Sequence, residues 1–220
     1  MVIERIPEKD ELTSPEMARY FSEMAKRYMK IPCRRVIYKV KAKGIKKGFA
    51  LDIGTGPAVF PIAIIKEFPD IKFLAVDTSY AMLEVAKENA CEAGITKKIY
   101  FHQATGYHLP LKNRSIDLVT CINTLHHLDD PLKLFNEIKR VLAPNGHLIL
   151  VDFHRDISWP LAKLLNILWH IFFRDKKAKR GFIESFLSSY TVNECKDFLE
   201  KSELEGWKIY TKAYEMWVEC

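Results

Sequence analysis

Between residues 49 and 153, short apolar and β-branched runs alternate with longer stretches whose apolar positions recur at helical spacing. This alternation predicts an α/β domain built on a parallel sheet. Strands are expected at 50–53, 71–76, 99–102, 116–122 and 148–153, and helices at 57–67, 81–93 and 131–142. Ser79 can cap the second of these helices, while Asp130 and Pro131 supply the third with an N-cap and a first-turn proline. Pro144, Asn145 and Gly146 are expected to end that helix and turn the chain into the next strand.

Two helical segments precede this block. Ser14 and Pro15 open the first, in which Met17, Phe21, Met24 and Tyr28 recur on one face, and Pro32 separates it from the second. After the block come an apolar helix over 159–173, a basic patch over 174–180, a helix over 192–204 and strand-like runs at 207–211 and 214–218. The pattern implies one domain: a helical cap (1–47), a ligand-binding core (48–153), a helical insertion (154–190) and a terminal helix with two strands (191–220). Along 159–173, Lys163, Asn166 and His170 form one narrow polar stripe and apolar side chains wrap the rest. One sheet cannot cover so wide a face, which fits a hydrophobic substrate pocket, a homodimer interface through 159–180, or a membrane surface with Lys176, Lys177, Lys179 and Arg180 at the headgroups.

Composition changes this picture little. The 220 residues are 48% apolar and 28% charged, which excludes disordered, collagen-like and disulfide-scaffold classes. The net charge of +6 is too mild and dispersed to require nucleic acid. Five widely spaced cysteines, with no Cys-x-x-Cys pair and no histidine cluster, are read as reduced thiols with no metal site. Glu4, Glu8, Asp10 and Glu11 stand where a signal peptide would need basic residues, so a cytoplasmic protein is expected.

The candidate chemistry centres on Asp52-Ile53-Gly54-Thr55-Gly56-Pro57-Ala58, a strand running into a glycine turn and then a helix. Gly54 and Gly56 allow a tight turn and close ligand approach. Val59 replaces the third glycine of a dinucleotide fingerprint and no Gly-Lys-Ser/Thr follows, so a pyrophosphate ligand is disfavoured. Asp52 would repel phosphate and attract an amino-bearing ligand. Asp77 ends the next strand, where a carboxylate can accept ribose hydroxyls, and Gly54, Thr105 and Asn123 also fall at strand ends.

With these motifs and 116–119, 125–131 and 137–146 in order, the chain resembles class I methyltransferases that use S-adenosylmethionine, close to the ubiquinone and menaquinone biosynthesis group. The resemblance implies a Rossmann-like, doubly wound, seven-stranded mostly parallel sheet. It implies a site in which Gly54, Thr55 and Gly56 line the methionine part, Asp52 supports its amino group, and Asp77 with Thr78 holds the ribose. Met82 and the Ala104-Thr105-Gly106 segment would border the adenine, and Ile122 and Asn123 would complete the floor. Thr105 stands where the family often has an aspartate, so the usual carboxylate contact to the adenine amine is missing. Tyr20, Phe21 and Tyr28 would close over the cofactor. His126 and His127 are candidate bases, with His154 a further one, should the acceptor need deprotonation. The implied activity is methyl transfer to a small lipophilic or aromatic acceptor, releasing S-adenosylhomocysteine. A non-catalytic S-adenosylmethionine sensor or scaffold and an RNA or protein methyltransferase are the alternatives.

Overall fold

A computed structural model describes residues 4–8, 14–158, 161, 163, 164 and 176–220. Most of the stretch read as an apolar helix over 159–173, and the side chains of Lys176, Lys177 and Lys179, lie outside the described residues. The sheet has seven strands: β1 (Lys47–Ile53), β2 (Asp70–Asp77), β3 (Ile99–Gln103), β4 (Ile116–Ile122), β5 (Leu142–Phe153), β6 (Lys208–Lys212) and β7 (Glu215–Glu219). Their spatial order is β3-β2-β1-β4-β5-β7-β6, in which only β7 runs antiparallel to its neighbours. The first reversal of direction in that order falls between β1 and β4, at the centre of the sheet.

Helices cover both faces: α1 (Pro15–Tyr28), α2 (Lys30–Ala42), α3 (Val59–Glu67), α4 (Tyr80–Glu92), α5 (Pro131–Val141), α6 (Lys176–Ser188) and α7 (Val192–Lys201). The alternation along β1 divides its side chains between two cores. Ala50 joins Phe73, Ile64 and Val36 on one face, whereas Leu51 and Ile53 join Leu134, Phe135 and Ile138 on the other. A strand buried on both faces must be apolar at almost every position, which is why β1 and β4 read as continuous greasy runs. The expected caps form: Ser79 Oγ accepts the Met82 N–H, and Asp130 Oδ1 accepts the Lys133 N–H.

The structure corrects two local readings. The break between α1 and α2 lies at Met29, and Pro32 occupies the first turn of α2, where a missing N–H costs nothing. Pro144, Asn145 and Gly146 do not precede β5 but interrupt it. Leu142 already pairs with Ile116, and the pairing resumes at His147 opposite Leu118. Along α1, Ala18, Ser22 and Ala25 are buried, small residues that admit α4 closely, while Met17, Met24 and Tyr28 are half-buried and Phe21 is 41% exposed.

The interrupted strand has little room at Gly146, where a Cβ would lie 2.6 Å from the Ile116 carbonyl oxygen. Gly146→Ala is expected to cost about 1–3 kcal/mol by forcing this backbone apart. A urea melt whose midpoint matches the wild type would contradict that packing.

Candidate cofactor site and the adjoining histidine pair

The turn after β1 is built by opposing demands on its backbone. Gly54 and Gly56 have φ of 66° and 49°, and a Cβ on Gly54 would lie 2.2 Å from Thr124 Cγ2. Ala58 also adopts the left-handed region, with φ of 58°, as the N-cap of α3. The Thr55 N–H donates to the Val76 carbonyl at 2.9 Å, which draws the turn towards the end of β2. There Asp77 joins two elements. Its Oδ2 accepts the Gly56 N–H at 2.8 Å and its Oδ1 accepts the Ser79 N–H at 2.9 Å. Burial raises the Asp77 pKa above the usual carboxylate value, and these backbone donors oppose the shift.

Asp52 lies beneath the turn, 2% exposed, and its Oδ1 accepts the Thr120 hydroxyl at 2.5 Å. Burial pushes its carboxyl up to about 7, against the Thr120 hydrogen bond and with help from the nearby Asp77 charge. The neighbouring Thr55 Oγ1 is buried and has no hydrogen-bond partner of normal geometry. A desolvated carboxyl under a backbone cradle is an arrangement that gains by meeting an amino-bearing ligand.

The remaining expected contacts fall around this cradle. Phe21 Cε1 is 3.8 Å from where a Gly56 Cβ would stand, so α1 covers the turn. Asn123 has a left-handed φ of 52°, and its Nδ2 lies 4.0 Å from Met29 Sδ. Tyr28 is half-buried near the end of α1, and Ile122 is 6% exposed at the end of β4. Thr78 and Thr105 are exposed at strand ends, while Gly106 is buried against Leu134 and Ile53. Met82, expected at the adenine, is 2% exposed and packs with Ala18 and Val85 between α1 and α4. A groove of about 410 Å³ opens beside Asp77, lined by Thr78, Ser79, Tyr80 and Gln103 with Pro15 and Arg19 of the α1 region.

Sequence reasoning missed Asn89. Its buried Nδ2 donates to Ser22 Oγ at 3.0 Å and to the Pro57 carbonyl at 2.8 Å, tying α1, α4 and the glycine turn together. It also missed the role of Thr120. Both lie mid-element, and only the topology reveals their partners.

His126 and His127 follow β4 in a short 3-10 turn (Leu125–His127). His126 is 2% exposed, with Nδ1 2.6 Å from Asp152 Oδ1. Burial opposes the charged ring, but the Asp152 carboxylate outweighs it and raises the His126 pKa above the ordinary histidine value. Burial and the neighbouring His126 charge lower that of His127. Glu8, far away in sequence, lies against both rings. His154 is buried, with its ring nitrogens 2.7 Å from Asp156 Oδ1 and 3.1 Å from the Ala213 carbonyl. Among the described residues, no helix is long and apolar enough to cross a membrane.

A central glycine turn, a strand-end carboxylate one strand away and this strand order define a Rossmann-like nucleoside-binding fold of the class I methyltransferase type. Residues 51–150 match the family model described as a methyltransferase domain. Over these residues the chain is similar to the methyltransferase domain family. The chain is 30% identical over 169 residues to the uncharacterized methyltransferase YcgJ of Bacillus subtilis, an alignment covering 77% of this chain and 63% of that protein. It is 25% identical over 183 residues to the ubiquinone/menaquinone biosynthesis C-methyltransferase UbiE of Haemophilus ducreyi, covering 79% and 71%. The chain thus spans about two thirds of the length of these curated relatives. Among solved structures, a methyltransferase from Aquifex aeolicus that depends on S-adenosylmethionine superimposes with a TM-score of 0.66 at 21% identity, covering 94% of this chain and 97% of that one, and so shares the fold.

The raised Asp52 pKa has a measurable consequence. The folded chain holds a proton that the unfolded chain releases above about pH 4, so stability contributed at this residue falls from about pH 4 to about pH 7 and stays lost above it. Asp52→Asn keeps an acceptor for Thr120 and removes the titration. It is expected to raise Tm at pH 8 and to leave it unchanged below pH 4. Calorimetric melts at the two pH values check this, and equal melting of the two proteins at pH 8 would contradict it.

Proposed function

We propose that the protein binds S-adenosylmethionine in the cradle between the glycine turn and Asp77 and transfers its methyl group to a small, lipophilic or aromatic acceptor. The observation that carries the reading is the cradle itself: Asp77 clamping Gly56 above the buried Asp52 carboxyl. When bound, the cofactor supplies a methyl group already activated on a sulfonium. The chain then has to hold the donor, align the acceptor and exclude water, and orientation alone supplies several kcal/mol towards such a step.

Each task has residues suited to it. Asp77, Gly56 and Thr55 hold the ribose and amino-acid ends, with Asp52 compensating the amino group's charge. Phe21 and the stripe of α1 cover the turn and keep water out. On the acceptor side, Phe153, Phe182 and Tyr214 form an aromatic cluster, with ring centroids 4.8 Å apart for Phe153–Phe182 and 5.9 Å for Phe153–Tyr214. Phe182 and Tyr214 are only half-buried, and their faces suit an aromatic or otherwise lipophilic acceptor. The quinone-related name of the UbiE relative agrees with that chemistry. His126 is sealed in and paired with Asp152, so the proposed transfer assigns it no role as a base.

Calorimetric titration with S-adenosylmethionine and S-adenosylhomocysteine tests the cofactor half. Wild type should bind both, and Asp77→Ala should weaken binding about 100-fold or more, because it removes a charged acceptor and releases the Gly56 N–H. Absence of binding by the folded wild type would overturn the reading. A screen of phenolic and quinone-like compounds by S-adenosylhomocysteine release then tests the acceptor half. Cofactor binding without turnover of any of them would favour a sensor.

A further inference from the structure

The N-terminal segment 4–8 is fastened over the turn that follows β4. Arg5 Nε donates to the Ser188 carbonyl at 2.7 Å and its Nη2 to the His126 carbonyl at 2.9 Å, while the guanidinium lies 4.4 Å from the centre of the Tyr190 ring. The Ile6 N–H donates to the Leu187 carbonyl at 3.1 Å. These bonds carry Glu8 onto the histidine pair. Its Oε2 lies 3.2 Å from His127 Nδ1 and 3.7 Å from His126 Nε2, and it also accepts the Ser185 hydroxyl at 3.4 Å.

Asp152 determines what His126 offers. Its carboxylate accepts the backbone N–H of His126 at 3.1 Å and that of Phe153 at 2.7 Å, and it stands 2.6 Å from His126 Nδ1. A carboxylate so placed holds the Nδ1 edge of the ring and turns Nε2 away from it, towards Glu8. That Nε2 atom is buried, on a side chain 2% exposed, and has no hydrogen-bond partner. At 3.7 Å the carboxylate is too far to satisfy it by a hydrogen bond. Ligands held about 2.0–2.1 Å from a tetrahedral ion stand roughly 3.3–3.4 Å apart. The two distances from Glu8 bracket that spacing, and the three candidate ligand atoms all lie within 4.8 Å of one another.

We propose that Glu8, His126 and His127 bind one divalent transition-metal ion of the zinc type, with Asp152 orienting His126 behind it. Two imidazoles and one carboxylate suit Zn²⁺, Co²⁺ or Fe²⁺ and leave at least one coordination position open. The ion satisfies the orphaned nitrogen and joins the N-terminal segment to the end of β4. The sequence concealed this site because its carboxylate lies far up the chain from the histidines, at none of the spacings that mark zinc motifs.

The test uses the full-length untagged protein, stripped with chelator and titrated with Co²⁺, with visible d–d absorption and a dialysis stoichiometry as readouts. Neither methyl donor nor acceptor is present, so the result is separate from that of the methyltransferase reading. The wild type is expected to bind one Co²⁺ per chain, displaceable by Zn²⁺. Glu8→Ala and His127→Ala, which alter the segment and a partly exposed ring, should each weaken binding at least about tenfold, and Asp152→Asn by about 10–100-fold. Far-UV circular dichroism confirms that each variant folds. No saturable one-to-one binding by the wild type, or unchanged affinity in both Glu8→Ala and His127→Ala, would overturn the site.

Discussion

The cofactor side of the molecule depends on one carboxylate. Asp77 ends β2, yet its two oxygens hold backbone donors from separate elements, the Gly56 turn after β1 and the first residues before α4. Without that bridge the Gly56 N–H of the glycine turn and the Ser79 N–H before α4 would be left unpaired, a cost comparable to a lost hydrogen bond for each. Because β1 and β2 are paired in parallel along their whole length, the bridge position is set by the register, Ile53 opposite Val76. The sheet thus delivers a carboxylate and a bent backbone to one point, and the left-handed φ of Gly54, Gly56 and Ala58 is held there by surroundings that leave no alternative.

Much of this was legible in the chain because it is local. A buried strand, two glycines and an acidic residue at the next strand end are short-range signals, and the caps at Ser79 and Asp130 need only three residues each. What failed to show was long-range or depended on volume. The stripe of Met17, Phe21, Met24 and Tyr28 has the spacing of a core face, but Ala18, Ser22 and Ala25 are buried instead, since small residues let α1 approach α4 closely. Pro144 and Gly146 carry turn chemistry, yet tertiary pairing with β4 absorbs them as an irregularity inside β5. Asn89 and Glu8 act through partners far away in sequence, which no periodicity can report.

The two sides of the cleft are built by different rules. Donor-side residues sit on β1, β2 and their turns, inside the segment 51–150 that matches the family model, where the sheet register allows little variation. The aromatic cluster and the contacts over His126 come from outside it: Phe153 at the end of β5, Phe182 on α6, Tyr214 between β6 and β7, and Glu8 and Arg5 from the N-terminal segment. Apart from Phe153, which pairs with Glu215 of β7, these join the core through side-chain contacts and a few carbonyl bonds, so they can change without disturbing the cradle. A fold divided in this way keeps one donor and exchanges acceptors. The N-terminal segment that closes over His126 can thus vary while the glycine turn stays fixed by the register of β1 and β2.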